Sequence, residues 1–116
     1  MPRREAVWLS EMRDAARKAH AYVADVNLDA FAADEMRLDA TVHQLGIVGE
    51  ASRSVSMTTQ MAHPEVDWSG AAKVRNQMIH AYFSINVARV WSIAREEMPV
   101  LADQLDAILN PPQTQN

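Results

Sequence analysis

Apolar residues recur at helical spacing along most of this chain. Trp8, Met12, Ala15, Ala19, Tyr22 and Val26 step by four and three, which puts them on one stripe of a helix from about Arg4 to Val26. Arg13, Arg17 and Lys18 fall off that stripe and are expected in solvent. Asn27 to Asp29 reads as a turn or cap, with a short helical piece through Phe31 and Ala33. A second long stripe, Leu38, Val42, Leu45, Val48, Ser52 and Val55, predicts a helix from about Asp34 to Met57. Gly46 and Gly49 interrupt it, and a glycine costs about 1 kcal/mol relative to alanine in a helix interior. Three apart, they share a face and admit another backbone, from this protomer or from a second copy. Packing inside the protomer is the reading preferred here.

From Thr58 to Asp67 the periodicity dissolves, and Pro64 argues against a helix there. Asp67 or Ser69 suits the cap of the next helix, and Asn86 that of another, with Val87, Val90, Trp91 and Ala94 as its stripe. Pro99 fits the first turn of a last helix carrying Val100, Leu101, Leu105 and Ile108. The expectation is an all-α bundle of about five helices forming a single domain over residues 1–110. Residues 111–116 form a polar, proline-rich tail expected to be disordered.

Composition narrows the picture. The chain has 116 residues, 48% of them hydrophobic, with three glycines and no cysteine, which suits one helical core without disulfides or thiolate metal sites. No apolar run approaches the roughly 18 residues of a membrane span. The charged opening MPRREAVWLSEMRD lacks the apolar centre of a signal peptide, so the expected location is the cytoplasm. A formal charge of −4 disfavours an extended nucleic-acid surface, yet a short substrate in a cleft needs only a local positive patch. Lys73, Arg75 and Arg53 could supply one by binding substrate.

The stretch VRNQMIHAYF, Val74 to Phe83, places polar residues inside an apolar helix. At about 100° per residue, Asn76 and His80 stack on one face, and Arg75 lies on the neighbouring stripe with Tyr82. Arg75, Asn76 and His80 can therefore reach one cleft, while Val74 and Met78 anchor the helix. These side chains suit RNA phosphodiester cleavage, in which the ribose 2′-hydroxyl is a built-in nucleophile. An imidazole moves protons near neutral pH and a guanidinium holds the phosphate and its growing charge. The reaction takes up one proton and gives back another, so one histidine per chain is too few. A symmetric dimer would bring two of each group into one groove.

Three blocks carry a resemblance: LGIVGEA (Leu45 to Ala51), HPEVDW (His63 to Trp68) and RNQMIHAY (Arg75 to Tyr82). In their order and spacing they resemble the HepT-like branch of the HEPN superfamily over nearly the whole chain. The last block matches that branch's signature of Arg, four residues, His, one residue, Tyr. The resemblance implies an α-helical homodimer acting as a metal-independent endoribonuclease toxin, needing no cofactor and paired with an MntA-type minimal nucleotidyltransferase antitoxin. Carried over by position, Arg75 and His80 are the catalytic pair, Asn76 supports them, and Tyr82 is the residue to which the antitoxin adds AMP. An anion there would compete for the positive charge of the groove. The chain departs from the family in AAK before the Arg-Asn pair and SIN after Tyr-Phe, which bears on substrate preference. The alternative function is a non-catalytic all-α adaptor or nucleotide-binding partner of a nucleotidyltransferase.

The remaining candidates are read as structural. Arg75 could also pair with Asp39 or Glu50 of the long preceding helix. Asp39 and His43 sit four apart, but no metal-binding cluster accompanies them. His20, His43 and His63 are taken as non-catalytic. Of Trp8, Trp68 and Trp91, which could stack on bases, helical stripes claim two for the core.

Overall fold

The computed structural model describes residues 2–78 and 84–112. Among them there are eight α-helical segments and no strand: α1 (Arg3–Val23), α2 (Leu28–Ala32), α3 (Glu35–Ser54), α4 (Met57–Ala62), α5 (Trp68–Ala72), α6 (Val74–Met78), α7 (Val87–Ser92) and α8 (Met98–Leu109). The larger count than five has local causes. α5 and α6 are parted only at Lys73, whose amide still donates to the carbonyls of Ser69 and Gly70. A π-helical turn, Ile93–Glu97, joins α7 to α8 without a break.

Short polar side chains start most of these helices by accepting an orphan amide of the first turn. Asn27 accepts from Ala30, Asp34 from Arg37, Ser56 from Thr59, Asp67 from Gly70 and Asn86 from Arg89, at 2.8 to 3.2 Å. The Asp67 and Asn86 caps are those the sequence predicts. Ser56 corrects the reading of its region: α3 ends at Ser54 rather than Met57, and α4 forms where no helix was expected. Pro64 is compatible with this because α4 stops at Ala62, and His63 already leaves helical geometry.

α1 lies at the centre, packed against α3 on one side and α8 on the other. Leu9, Met12, Ala16, Ala19 and Val23 of α1, Leu45 and Val48 of α3, and Leu105 of α8 are wholly buried. The buried arc of α1 is thus shifted from the expected stripe. Trp8 and Tyr22 sit half-buried at its edge, because two neighbours widen the covered face and small alanines let both approach. Arg13 is a second correction. It is not free in solvent but half-buried, with its guanidinium 2.9 Å from Asp106 of α8 and 3.0 Å from Asp14.

At the far end of α1 its last carbonyls meet cations and donors rather than water. The Arg95 guanidinium donates to the carbonyls of Val23, Ala24 and Val26, and the Trp91 indole N–H donates to Val26 at 3.0 Å. Arg95 also lies 5.1 Å above the Trp91 ring. Trp68 is buried, with its indole N–H on the His63 carbonyl at 2.9 Å. The two rings that helical stripes placed in the core, Trp8 and Trp91, are only half-buried, whereas Trp68, on no stripe, is buried.

Candidate active site

The motif helix is held from within. Val74 and Met78, four apart on α6, are buried against the core, as the spacing predicts, and this turns Arg75 and Asn76 outward. α6 packs on α3 and on α7. Its end is tied down by the Asn86 amide, which donates to the Met78 carbonyl at 2.6 Å. Gln77 accepts from Arg89, whose guanidinium also lies 2.8 Å from Glu97. His80 and Tyr82, the other half of the motif, lie outside the described residues, so the expected stacking of Asn76 on His80 and of Arg75 with Tyr82 stays an expectation.

Arg75 opens onto a cleft of about 390 Å³ between α3 and α6, lined by Val42, His43, Gly46, Ile47, Glu50, Arg75 and Met78. Among the described residues no carboxylate comes within 4.0 Å of its guanidinium, so the ion pair with Asp39 or Glu50 is not formed. Glu50 shares the cleft without closing on Arg75, and Asp39 is exposed elsewhere on α3. A guanidinium left free beside an apolar floor can take a phosphate by two parallel hydrogen bonds.

The other predicted site residues are placed less centrally. Asn76 is exposed on the next face of α6. Lys73 is exposed at the α5–α6 corner, and Arg53 reaches the same corner, donating to the Ala72 carbonyl at 3.3 Å. Neither cation lines the cleft, though both flank the strip of chain that leads to Arg75.

Five cleft residues come from α3, and three of them were missed or read differently. His43, Gly46 and Glu50 step by three and four along one helical face. That spacing is visible in the sequence, but nothing there says that this face looks at Arg75. The two glycines prove unlike each other. A Cβ on Gly49 would touch the Ala71 and Ala72 carbonyls at 3.5 Å, so α5 rests directly on it, as the reading of packing within the protomer requires. Among the described residues a Cβ on Gly46 would meet no heavy atom within 4 Å, and Gly46 itself lines the cleft.

A second cavity of about 300 Å³ lies between the α5 region and the start of α8, with Val74, Met98 and Leu101 among its apolar walls. Glu65, Asp67, Glu96 and Glu97 rim it. Four carboxylates repel a polyanion, so this cavity is the poorer of the two for a phosphate.

The family model described as ribonuclease HepT-like matches residues 12–108. A probable ribonuclease HepT of Thermococcus cleftensis is 27% identical over 108 residues, covering 93% of this chain and 98% of that protein. A putative RNase of Caldanaerobacter subterraneus is 31% identical over 87 residues, 75% of this chain and 78% of that one. A putative RNase of Methanocaldococcus jannaschii is 27% identical over 101 residues, 87% and 93% of the two chains. No solved structure matches the chain. With an all-α architecture and a family match that spans both α3 and the Arg75 helix, the chain belongs to the HepT-like ribonuclease family of the HEPN superfamily.

Proposed function

We propose that this protein is a metal-independent endoribonuclease, the toxin of a toxin–antitoxin pair, whose Arg75, Asn76 and His80 cut RNA in a groove completed by a second copy. The observation that carries this reading is Arg75 itself. It is exposed, unpaired with any carboxylate among the described residues, and set at a cleft by two buried anchors of its own helix. A guanidinium so placed is poised for phosphate rather than committed to the fold.

The chemistry needs little from the protein. The 2′-oxygen of the ribose attacks phosphorus, the P–O5′ bond breaks, and a 2′,3′-cyclic phosphate and a 5′-hydroxyl result. His80 exchanges protons with these oxygens, and Arg75 stabilises the charge on the phosphoryl oxygens. Asn76 orients the imidazole or donates to a phosphate oxygen, while Lys73 and Arg53 guide the RNA strand from the α5–α6 corner. A cognate MntA-like nucleotidyltransferase silences the site by adding AMP to Tyr82, putting a bulky anion where RNA phosphate would bind. No described helix is long and apolar enough to cross a membrane, and cytoplasmic RNA is the substrate this reading assigns.

The test is direct. The purified protein cuts RNA with a chelator present, and Arg75→Ala or His80→Ala abolishes both the cutting and growth arrest on expression. A toxic His80→Ala variant, or RNA that survives the wild type intact, would overturn the reading in favour of a non-catalytic adaptor. Mass spectrometry of Tyr82 peptides after incubation with the neighbouring nucleotidyltransferase and ATP tests the silencing step. Absence of added AMP removes that step alone.

A further inference from the structure

α6 has five residues, and a helix that short is not stable without its neighbours. Val74 and Met78 bury one stripe of it in the core, which sets its depth but still lets it roll. At about 100° per residue, Arg75 stands about 100° to one side of Val74 and Gln77 about 60° to the other. A grip on the Gln77 flank therefore fixes the direction in which the Arg75 flank faces. The packing agrees with this. α6 rests on both α3 and α7, with Arg75 lining the cleft on the α3 side and Gln77 bonded on the α7 side.

The grip comes from the first turn of α7. One arm of the Arg89 guanidinium donates to the Gln77 side-chain oxygen, and the other lies 2.8 Å from the Glu97 carboxylate at the end of the π turn. A planar fork held by a carboxylate on one arm has its other arm aimed in advance. Asn86 adds a hold on the backbone. Its amide donates to the Met78 carbonyl at 2.6 Å, while its side chain caps α7 by accepting the Arg89 amide at 3.1 Å. Arg89 does not line the cleft, and both arms of its fork are engaged, in contrast to Arg75.

We propose that Arg89 is a positioning residue of the Arg75 site: through Gln77 it fixes the roll of α6 and so aims the Arg75 guanidinium at the phosphate, without touching RNA itself. This rests on the ribonuclease reading above and deepens it. Glu97 holds Arg89, Arg89 holds Gln77, and Gln77 holds the helix. Breaking the link leaves Val74 and Met78 buried and α6 in place but turned. Lys73, Arg53 and Arg75 still attract the strand, so the loss falls on the rate of the cleavage step rather than on affinity for RNA.

The experiment is steady-state cleavage of a labelled RNA oligonucleotide, with chelator present, by wild type, Gln77→Ala, Arg89→Ala, their double variant and the control Lys18→Ala. A misplacement of about 1 Å costs up to about 100-fold in rate. Each single variant is accordingly expected to lose about 10–100-fold in kcat with KM unchanged. The double variant loses no more than either single one, because the two residues act as one link. Lys18→Ala, which removes an exposed cation from α1, cleaves as wild type does. Gln77→Ala leaves the Arg89–Glu97 pair standing and is expected to keep its helical circular dichroism at the assay temperature, so it carries the test even where Arg89→Ala fails to fold. An unchanged kcat in Gln77→Ala overturns the assignment. So does a raised KM with kcat intact, which would make Arg89 a cation that holds RNA, and so do additive losses in the double variant. A wild type that cuts no RNA overturns the ribonuclease reading itself, which is a different result.

Discussion

Gly46→Ala separates the stability of the fold from the work of the cleft. Among the described residues the added methyl meets no heavy atom within 4 Å, so it brings no clash with them, and its position lies in the interior of α3. Replacing a helical glycine by alanine is worth about 1 kcal/mol in such a place. For a chain of 116 residues that corresponds to a rise of about 4 °C in Tm. The same methyl lies at the cleft that Arg75 and His43 line, where under the proposed function it would displace the RNA backbone. A misplacement on the order of 1 Å costs up to about 100-fold in rate. Gly46→Ala is therefore expected to melt higher and cut RNA more slowly, measured by thermal circular dichroism and by cleavage of a labelled oligonucleotide. A lower Tm would refute the reasoning, since it would mean that something packs on Gly46. If that loss deepened with dilution, the missing neighbour would be the backbone of a second copy. A higher Tm with undiminished cleavage would place the RNA elsewhere.

Glu5 is almost wholly buried, and its Oε1 accepts the Ser56 amide at 2.7 Å, fastening the start of α1 to the α3–α4 corner. Burial pushes its carboxyl up, but hydrogen bonds from the Ser56 amide and hydroxyl and the Thr59 hydroxyl outweigh it and hold the carboxyl below its ordinary value of 4.5. The stabilisation is thus present above that pH and lost as pH falls through the lower folded value. Glu5→Gln should cost about 1.5–3 kcal/mol at pH 7, with the gap to wild type narrowing in urea melts at pH 3; an equal gap at both would be wrong for this geometry. At Gly70 a Cβ would fall 2.1 Å from the Asp67 carboxylate that caps its amide. Gly70→Ala must swing that carboxylate away, giving up about 0.5–2 kcal/mol of capping against about 1 kcal/mol of helix propensity. Asp67→Ala in the Gly70→Ala background should then cost almost nothing further in Tm, and a full additive loss would show the cap intact.

The helices were legible because their signals are local. The caps at Asp67 and Asn86 and the anchors Val74 and Met78 needed only spacing. Errors arose where a neighbour decides. α1 buries Leu9, Ala16 and Val23 besides the predicted Met12, Ala15 and Ala19 because it is flanked on two sides, and a single stripe describes only one. The weight given to Pro64 hid α4, although Ser56 with Thr59 three residues on was a readable cap. Pro99 does stand in the first turn of the last helix, as its missing amide and fixed φ suggest, while the π turn Ile93–Glu97 that joins α8 to α7 without a gap had no signal in the spacing.

The glycine pair shows why the site itself was only half legible. Gly46 and Gly49 carry the same local signal, two costly residues on one helical face. One bears the weight of α5, and the other faces an opening beside Arg75. Sequence distinguishes them only through which segment, more than twenty residues downstream, comes to lie against each. Arg75 could be read from its own motif, whereas His43 and Glu50 acquire their meaning from the packing of α6 on α3. Among the described residues nothing would touch a Cβ at Gly46, so this helix interior spends stability to leave an opening at the cleft. Arg75 lines the same opening, and under the proposed function that is where an RNA phosphate would bind.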